Sequence, residues 1–225
     1  MAMCALRGTR KECVVFMDEN NFDGFYCQSD NLIENDGLMI IKSKDFELVY
    51  PSYCRDFPLC EQKNKEIVNK LLDDDIYTLL LAKDEEIKGY ILGIKGDDFF
   101  WMDYLAVIEK YRNQHIGKRF LKLVLKKYPI IVFDCEKWDG IEGSQTQKRW
   151  LFYQSLGARI IDIPYELPTY EGSLPMNLCI IANSPVDADK LKEFIRFCTM
   201  TIHADYPHTE NVLNKYIDKI TKEVL

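Results

Sequence analysis

Three apolar runs rich in β-branched and aromatic residues, Ile76 to Ala82, Ile87 to Ile94 and Phe99 to Val107, stand close together in the chain, parted only by Lys83-Asp84-Glu85-Glu86 and Gly96-Asp97-Asp98. Connections this short and polar predict an antiparallel meander. After Val107 the pattern changes. Ile116 to Lys127 predicts a cationic helix, and Pro129-Ile130-Ile131-Val132-Phe133 is a short apolar run suited to a buried strand. A helix between two neighbouring strands makes them parallel. A second helix is expected to open on a capping box, Ser144-Gln145-Thr146-Gln147, and to close near Gly157, with Trp150, Tyr153 and Leu156 on one face. Two more strands, Ala158 to Ile163 and Met176 to Ala182, flank a loop containing Pro and Tyr.

The two ends read differently. Apolar residues at Ala188, Leu191, Ile195, Cys198 and Ile202, then at Val212 or Leu213, Tyr216, Ile220 and Val224, predict two amphipathic helices broken near Pro207. They are expected to pack against the core. Residues 1–36 offer one possible strand, Cys13 to Met17, and no role. The order of elements predicts an α/β fold with a mixed sheet.

Composition narrows the partners. The chain has 225 residues, a net charge of −7 and an isoelectric point near 5.1, which argues against a general nucleic-acid binder. The balance reverses locally, where Lys110, Arg112, Lys118, Arg119, Lys122, Lys126 and Lys127 gather beside one acid, Glu109. Eight cysteines show no Cys-x-x-Cys and no zinc spacing with His, and no apolar stretch suits export or membrane insertion. The expectation is a cytoplasmic protein with free thiols, no membrane association and no metal. His203 and His208 flank the break between the last helices without further ligands, and Asp73-Asp74-Asp75 reads as a solvated turn.

The junction from Val107 to Lys118 carries the chemistry. A strand ends in a basic turn with one Gly and a cationic helix follows at once. The first N–H groups of a helix lack intrahelical partners, the helix dipole puts partial positive charge there, and Gly admits a bulky anion. That is the layout of a phosphate cradle.

Order and motif together resemble the GNAT superfamily of N-acetyltransferases, and in particular a bacterial subgroup of it. The family signature Arg/Gln-x-x-Gly-x-Gly/Ala is matched by Arg112-x-x-His115-x-Gly117, with His in one Gly slot. His tolerates positive φ better than most residues, so the backbone shape can survive. Phe152-Tyr153-Gln154-Ser155-Leu156-Gly157-Ala158 resembles the family's aromatic-Tyr block, although Thr146 replaces the Asn that often opens it. Phe57-Pro58-Leu59-Cys60-Glu61, Tyr165 to Tyr170 and Pro175 to Leu178 are looser matches. The resemblance covers roughly residues 44 to 184. It implies a mostly antiparallel central sheet flanked by helices, with an N-terminal extension (1–43), a GNAT-like domain (44–184) and a C-terminal helical appendage (185–225).

The resemblance also implies acetyl-CoA as co-substrate and a primary amine of a small molecule or peptide as acceptor, in a monomer or homodimer. Arg112, Asn113, Gln114, His115, Ile116, Gly117 and Lys118 would hold the pyrophosphate. Leu105, Ala106 and Val107 would line the pantetheine arm, with an N–H of Leu105 or Ala106 facing the oxyanion. An alkylammonium of pKa near 10.4 is about 99.9% protonated at pH 7, so a carboxylate must take its proton. Asp103, Asp134 and Glu136 lie where two strands should diverge, the last two on one strand face. Tyr153 matches the family's general acid, and Phe57, Glu61 and Tyr165 border the acceptor. A carboxylate stabilising a helix N-terminus is the other reading of Glu61. A catalytically silent CoA- or acyl-CoA-binding module would share the cradle. A nucleotide-binding protein is disfavoured, because no Gly-x-x-x-x-Gly-Lys-Ser/Thr occurs.

Overall fold

A computed structural model describes residues 37–59 and 61–225. The stretch Cys13 to Met17 lies outside them. The chain begins with β1 (Met39–Ser43), a 3-10 turn and the helices α1 (Tyr50–Asp56) and α2 (Lys65–Asp73). The meander follows as β2 (Tyr77–Lys83), β3 (Ile87–Lys95) and β4 (Phe99–Val107), then α3 (Ile116–Lys127) and β5 (Ile130–Glu136). After α4 (Gln145–Gln154) come β6 (Arg159–Ile160), β7 (Glu166–Thr169) and β8 (Gly172–Ala182). The helices α5 (Ala188–Ile202) and α6 (Thr209–Asn214) close the chain.

The sheet order is β1-β2-β3-β4-β5-β8-β6, with β7 paired to β8. Every pairing is antiparallel except β4 with β5. The meander, the parallel step and the α/β class match the expectation. Two local readings need correction. The strand expected from Ala158 to Ile163 is cut to two residues, because Ile161 and Tyr165 turn into the core. The loop expected after it is a hairpin, in which Glu166 to Thr169 run against Pro175 to Gly172. β1 also pairs along β2 from Met39↔Lys83 to Ser43↔Leu79, inside the stretch read as an extension.

The sheet divides two apolar layers. On one face Tyr53, Val68, Tyr77, Leu79, Trp101, Tyr104 and Val132 join Leu191, Ile195, Cys198, Leu213 and Tyr216. The C-terminal helices therefore share a core with the sheet, as their amphipathic spacing predicts. The second C-terminal helix is shorter than its spacing suggests, giving way to a 3-10 turn at Ile217–Lys219. On the other face Phe120, Leu121 and Val124 of α3 and Tyr153 of α4 cover Phe100, Met102, Phe133 and Cys135.

One irregularity governs the rest. Leu92 pairs with Tyr104 but Gly93 pairs with Met102, so Asp103 is an extra residue with no partner on β3. This β-bulge bends β4 and puts Asp103 and Tyr104 on the same face. Gly93 is needed opposite it. A Cβ there would lie 2.0 Å from the carbonyl oxygen of Trp101. The parallel ladder between β4 and β5 then spans only Phe99↔Ile130 to Trp101↔Val132. Beyond it β5 stays with β8 as far as Glu136↔Met176, and β4 stays with β3. The strands part, and the backbone edge of β4 from Asp103 to Val107 faces a cleft.

Candidate active site

At one end of that cleft lies the start of α3. Asn113 and His115 both have left-handed backbones, with φ 61 and 58. His115 is the residue before the helix, and no side chain caps the amides that follow it. The peptide N–H groups of Ile116, Gly117 and Lys118 are thus available to an anion. Gly117 allows a close approach, since a Cβ would sit 3.3 Å from both the Phe152 ring and Val107. The turn thereby packs on the aromatic block of α4.

The basic side chains are less free than their sequence suggests. Arg112 bonds Asp56 of α1 at 2.8 Å and the Val107 carbonyl at 3.1 Å, tying the turn to β4 instead of projecting from it. Lys110 pairs with Glu86. Lys118 and Lys122 of α3 have no acidic partner among the described residues.

Asp103 and Asp134 stand on the opposite side. Asp103 Oδ2 accepts a hydrogen bond from the Tyr77 hydroxyl and meets the ammonium of Lys63 at 3.0 Å. Lys63 also donates to the Tyr104 hydroxyl at 3.3 Å. Tyr104 in turn donates to the Glu61 carbonyl at 2.5 Å and packs edge-on to Phe57, ring centres 4.8 Å apart. On β5, Asp134 accepts one bond from Tyr165 at 3.2 Å. Burial above all, and then the negative charge of Asp103, push its carboxyl up to about 7. The Tyr165 bond and the Lys63 cation pull the other way. A carboxylate poised near neutrality can take up and release a proton at physiological pH.

Glu136 shares that face but is bound to Arg149 of α4. Glu61 is raised by burial and by the charge of Glu136. It lies ahead of α2, whose cap is Asn64, and so does not serve that helix's N-terminus.

Tyr153 lies across the sheet. Its ring sits 4.3 Å from Phe133 and 5.1 Å from Phe152, and burial holds its phenol well above the ordinary range and so protonated. Phe133 and Asp134 alternate along β5, so Tyr153 and Asp134 belong to opposite layers. The parting of β4 from β5 is what can join them.

Around Tyr104 and Asp134 the structure gathers Phe57, Glu61, Tyr165 and Asp103, all singled out from the sequence. It adds Lys63, Tyr77 and His203, which were not. Lys63 looks like one more polar loop residue in Glu61-Gln62-Lys63-Asn64-Lys65, and Tyr77 like strand core. His203 ends α5, is buried, and has no partner for Nδ1 among the described residues. Burial and then the Lys63 charge push its imidazole down to about 3, so it is neutral. The Asp73-Asp74-Asp75 turn is solvated, with Asp75 bridged to Lys42 and Lys44.

Known proteins share this fold. The family model described as "Acetyltransferase (GNAT) family" matches residues 42–157. The chain belongs to the GNAT acetyltransferase family. It is 33% identical over 100 residues to "Putative acetyltransferase YjbC" of Bacillus subtilis (strain 168), which covers 44% of this chain and 50% of that protein. The chain thus spans about half the length of this curated relative. A GNAT-family structure from Bacteroides thetaiotaomicron superimposes with a TM-score of 0.60 at 26% identity, over 72% of this chain and 91% of that one. Among the described residues no helix is long and apolar enough to cross a membrane.

Proposed function

We propose that this GNAT protein transfers an acetyl group directly from acetyl-CoA to a primary amine of a small molecule or peptide. The observation that carries the reading is the parting of β4 and β5, with an uncapped helix start at one end and a near-neutral carboxylate, Asp134, on the other side. The amides of Ile116, Gly117 and Lys118 fit a pyrophosphate, with Asn113, Gln114 and His115 shaping the turn and Lys118 adding charge. Arg112 braces the turn against Asp56. The free edge of β4 at Leu105, Ala106 and Val107 fits an extended amide-bearing arm, which pairs with it as an added strand would. When bound, acetyl-CoA supplies the activated acetyl group.

The remaining work is proton transfer. Asp134 removes the proton from the acceptor ammonium, which exposes the nitrogen lone pair. The phenol of Tyr153 donates a proton to the departing sulfur. Phe57, Glu61 and Tyr165 border the acceptor, and the carboxylate of Glu61 favours a cationic one.

The test is release of free CoA. Purified protein with acetyl-CoA and a broad panel of amines is expected to liberate thiol with at least one of them, and Asp134→Asn to stop it. Tight acetyl-CoA binding with no amine-dependent release would instead favour a CoA-binding sensor. Calorimetric preference for ATP over acetyl-CoA would sink the cofactor assignment.

A further inference from the structure

Among the described residues the site holds two aspartates, and they are engaged unequally. Asp103 is engaged on its Oδ2 by both Tyr77 and Lys63, whereas Asp134 has a single neutral donor, Tyr165. The Lys63 side chain is held by two residues. Its ammonium bonds Asp103 and the Tyr104 hydroxyl, and it lies 5.0 Å from the centre of the Tyr104 ring. The two side chains of the ion pair are only 11% and 12% exposed, so neither is screened as a surface charge is. The Lys63 backbone is fixed too, its N–H donating to the Tyr53 hydroxyl at 2.7 Å.

We infer that Lys63 is a positioning residue: by serving as the fixed counter-ion of Asp103, it leaves Asp134 as the one aspartate of the cleft able to take the acceptor's proton. This rests on the reading of Asp134 as the base. Two aspartates in one pocket cannot both stay ionised cheaply, and a buried cation on one of them decides which is available. The groups that bear on Asp134 are Asp103 and Tyr104 of β4, Cys135 and Glu136 of β5, Tyr153 of α4, Tyr165 ahead of β7, Cys179 of β8, Tyr216 after α6, and Lys63. Of these Lys63 is the only cation. His203 stands near the Lys63–Asp103 pair but is neutral.

The experiment is NMR of the full chain labelled with carboxyl-13C aspartate, titrated from pH 4 to 9, with the Asp134 signal assigned by its loss in Asp134→Asn. The wild-type midpoint is expected near 7. Lys63→Met should raise it by about one pH unit or more, Asp103→Asn should lower it by a similar amount, and Lys63→Arg should hold it within about half a unit. A loosened pocket would instead send the first two variants the same way, toward the ordinary carboxylate value. Should Lys63→Met not fold, Lys63→Gln is read identically. A midpoint near 7 that loss of the lysine charge fails to raise overturns the inference and leaves the base assignment standing. A wild-type midpoint near 4 removes both.

Discussion

The two sides of the cleft between β4 and β5 are built on different principles. The anion side is one continuous stretch, Val107 to Lys118, whose proposed contacts are mostly backbone N–H groups at a helix start. The acid side draws Lys63, Tyr77, Asp103, Asp134, Tyr165 and His203 from six separate stretches of chain, and its charges and hydroxyl donors are supplied by side chains. A backbone site tolerates substitution as long as the chain keeps its course. His115 illustrates this, since it stands in a glycine slot and still adopts φ 58. A side-chain site has no such latitude, because each donor or charge is supplied by one residue.

Substitutions should expose this asymmetry. The largest effect is expected from Asp134→Asn, which should cut kcat/KM by about 10²- to 10⁴-fold while calorimetry finds acetyl-CoA affinity unchanged. The same variant has a stability signature. A carboxyl whose folded pKa of about 7 exceeds an unfolded value of about 3.9 binds its proton more tightly when folded, so stability falls as pH rises between those values and stays reduced above them. Asp134→Asn should therefore melt at a higher temperature than the parent at pH 8 and gain nothing at pH 4, a contrast that differential scanning calorimetry can read.

Next comes Tyr153→Phe. Thiol release should slow about a hundredfold, again with acetyl-CoA affinity intact, and retention of full activity would remove the phenol from the mechanism. On the anion side effects should be smaller and fall on binding. Gly117→Val pushes a branched side chain against Phe152 and Val107, and is expected to weaken acetyl-CoA about tenfold and to destabilise the fold by about 1–3 kcal/mol. His115→Gly closes the series. It relieves a left-handed non-glycine residue, so affinity should hold within about threefold or improve, and a loss beyond tenfold would show that the imidazole itself touches the ligand.

The sequence made these two sides unequally legible. The Phe99–Val107 strand and the Ile116–Lys127 helix stand where the hydrophobic pattern puts them, because both signals are local and long. The capping box at Ser144 is half visible: Ser144 accepts from Gln147 N–H, while the Gln147 side chain reaches the Gly143 N–H one residue early. The bulge at Asp103 left no trace, since a strand buried on both faces reads as an unbroken apolar run and hides a break in alternation. β1 escaped notice for a similar reason: five residues, Met39–Ser43, carry too little pattern. Lys63 was invisible because its role depends on Asp103 and Tyr104, about forty positions away. The hairpin of β7 and β8 is masked in the sequence because Pro168 and Pro175 suggest breaks, and both prolines lie on strands at the sheet's margin.

The odd residue in β4 amounts to a phase error in the sheet, and the cleft proposed as the active site is expected to depend on it. If Asp103 is struck out, Trp101, Tyr104 and Ala106 still alternate with Phe100, Met102 and Leu105 between the two apolar layers. A chain shortened by that one residue is therefore expected to keep both of its cores and lose the misfit that separates β4 from β5. The seam would close, leaving a well-made scaffold with nowhere for chemistry to happen.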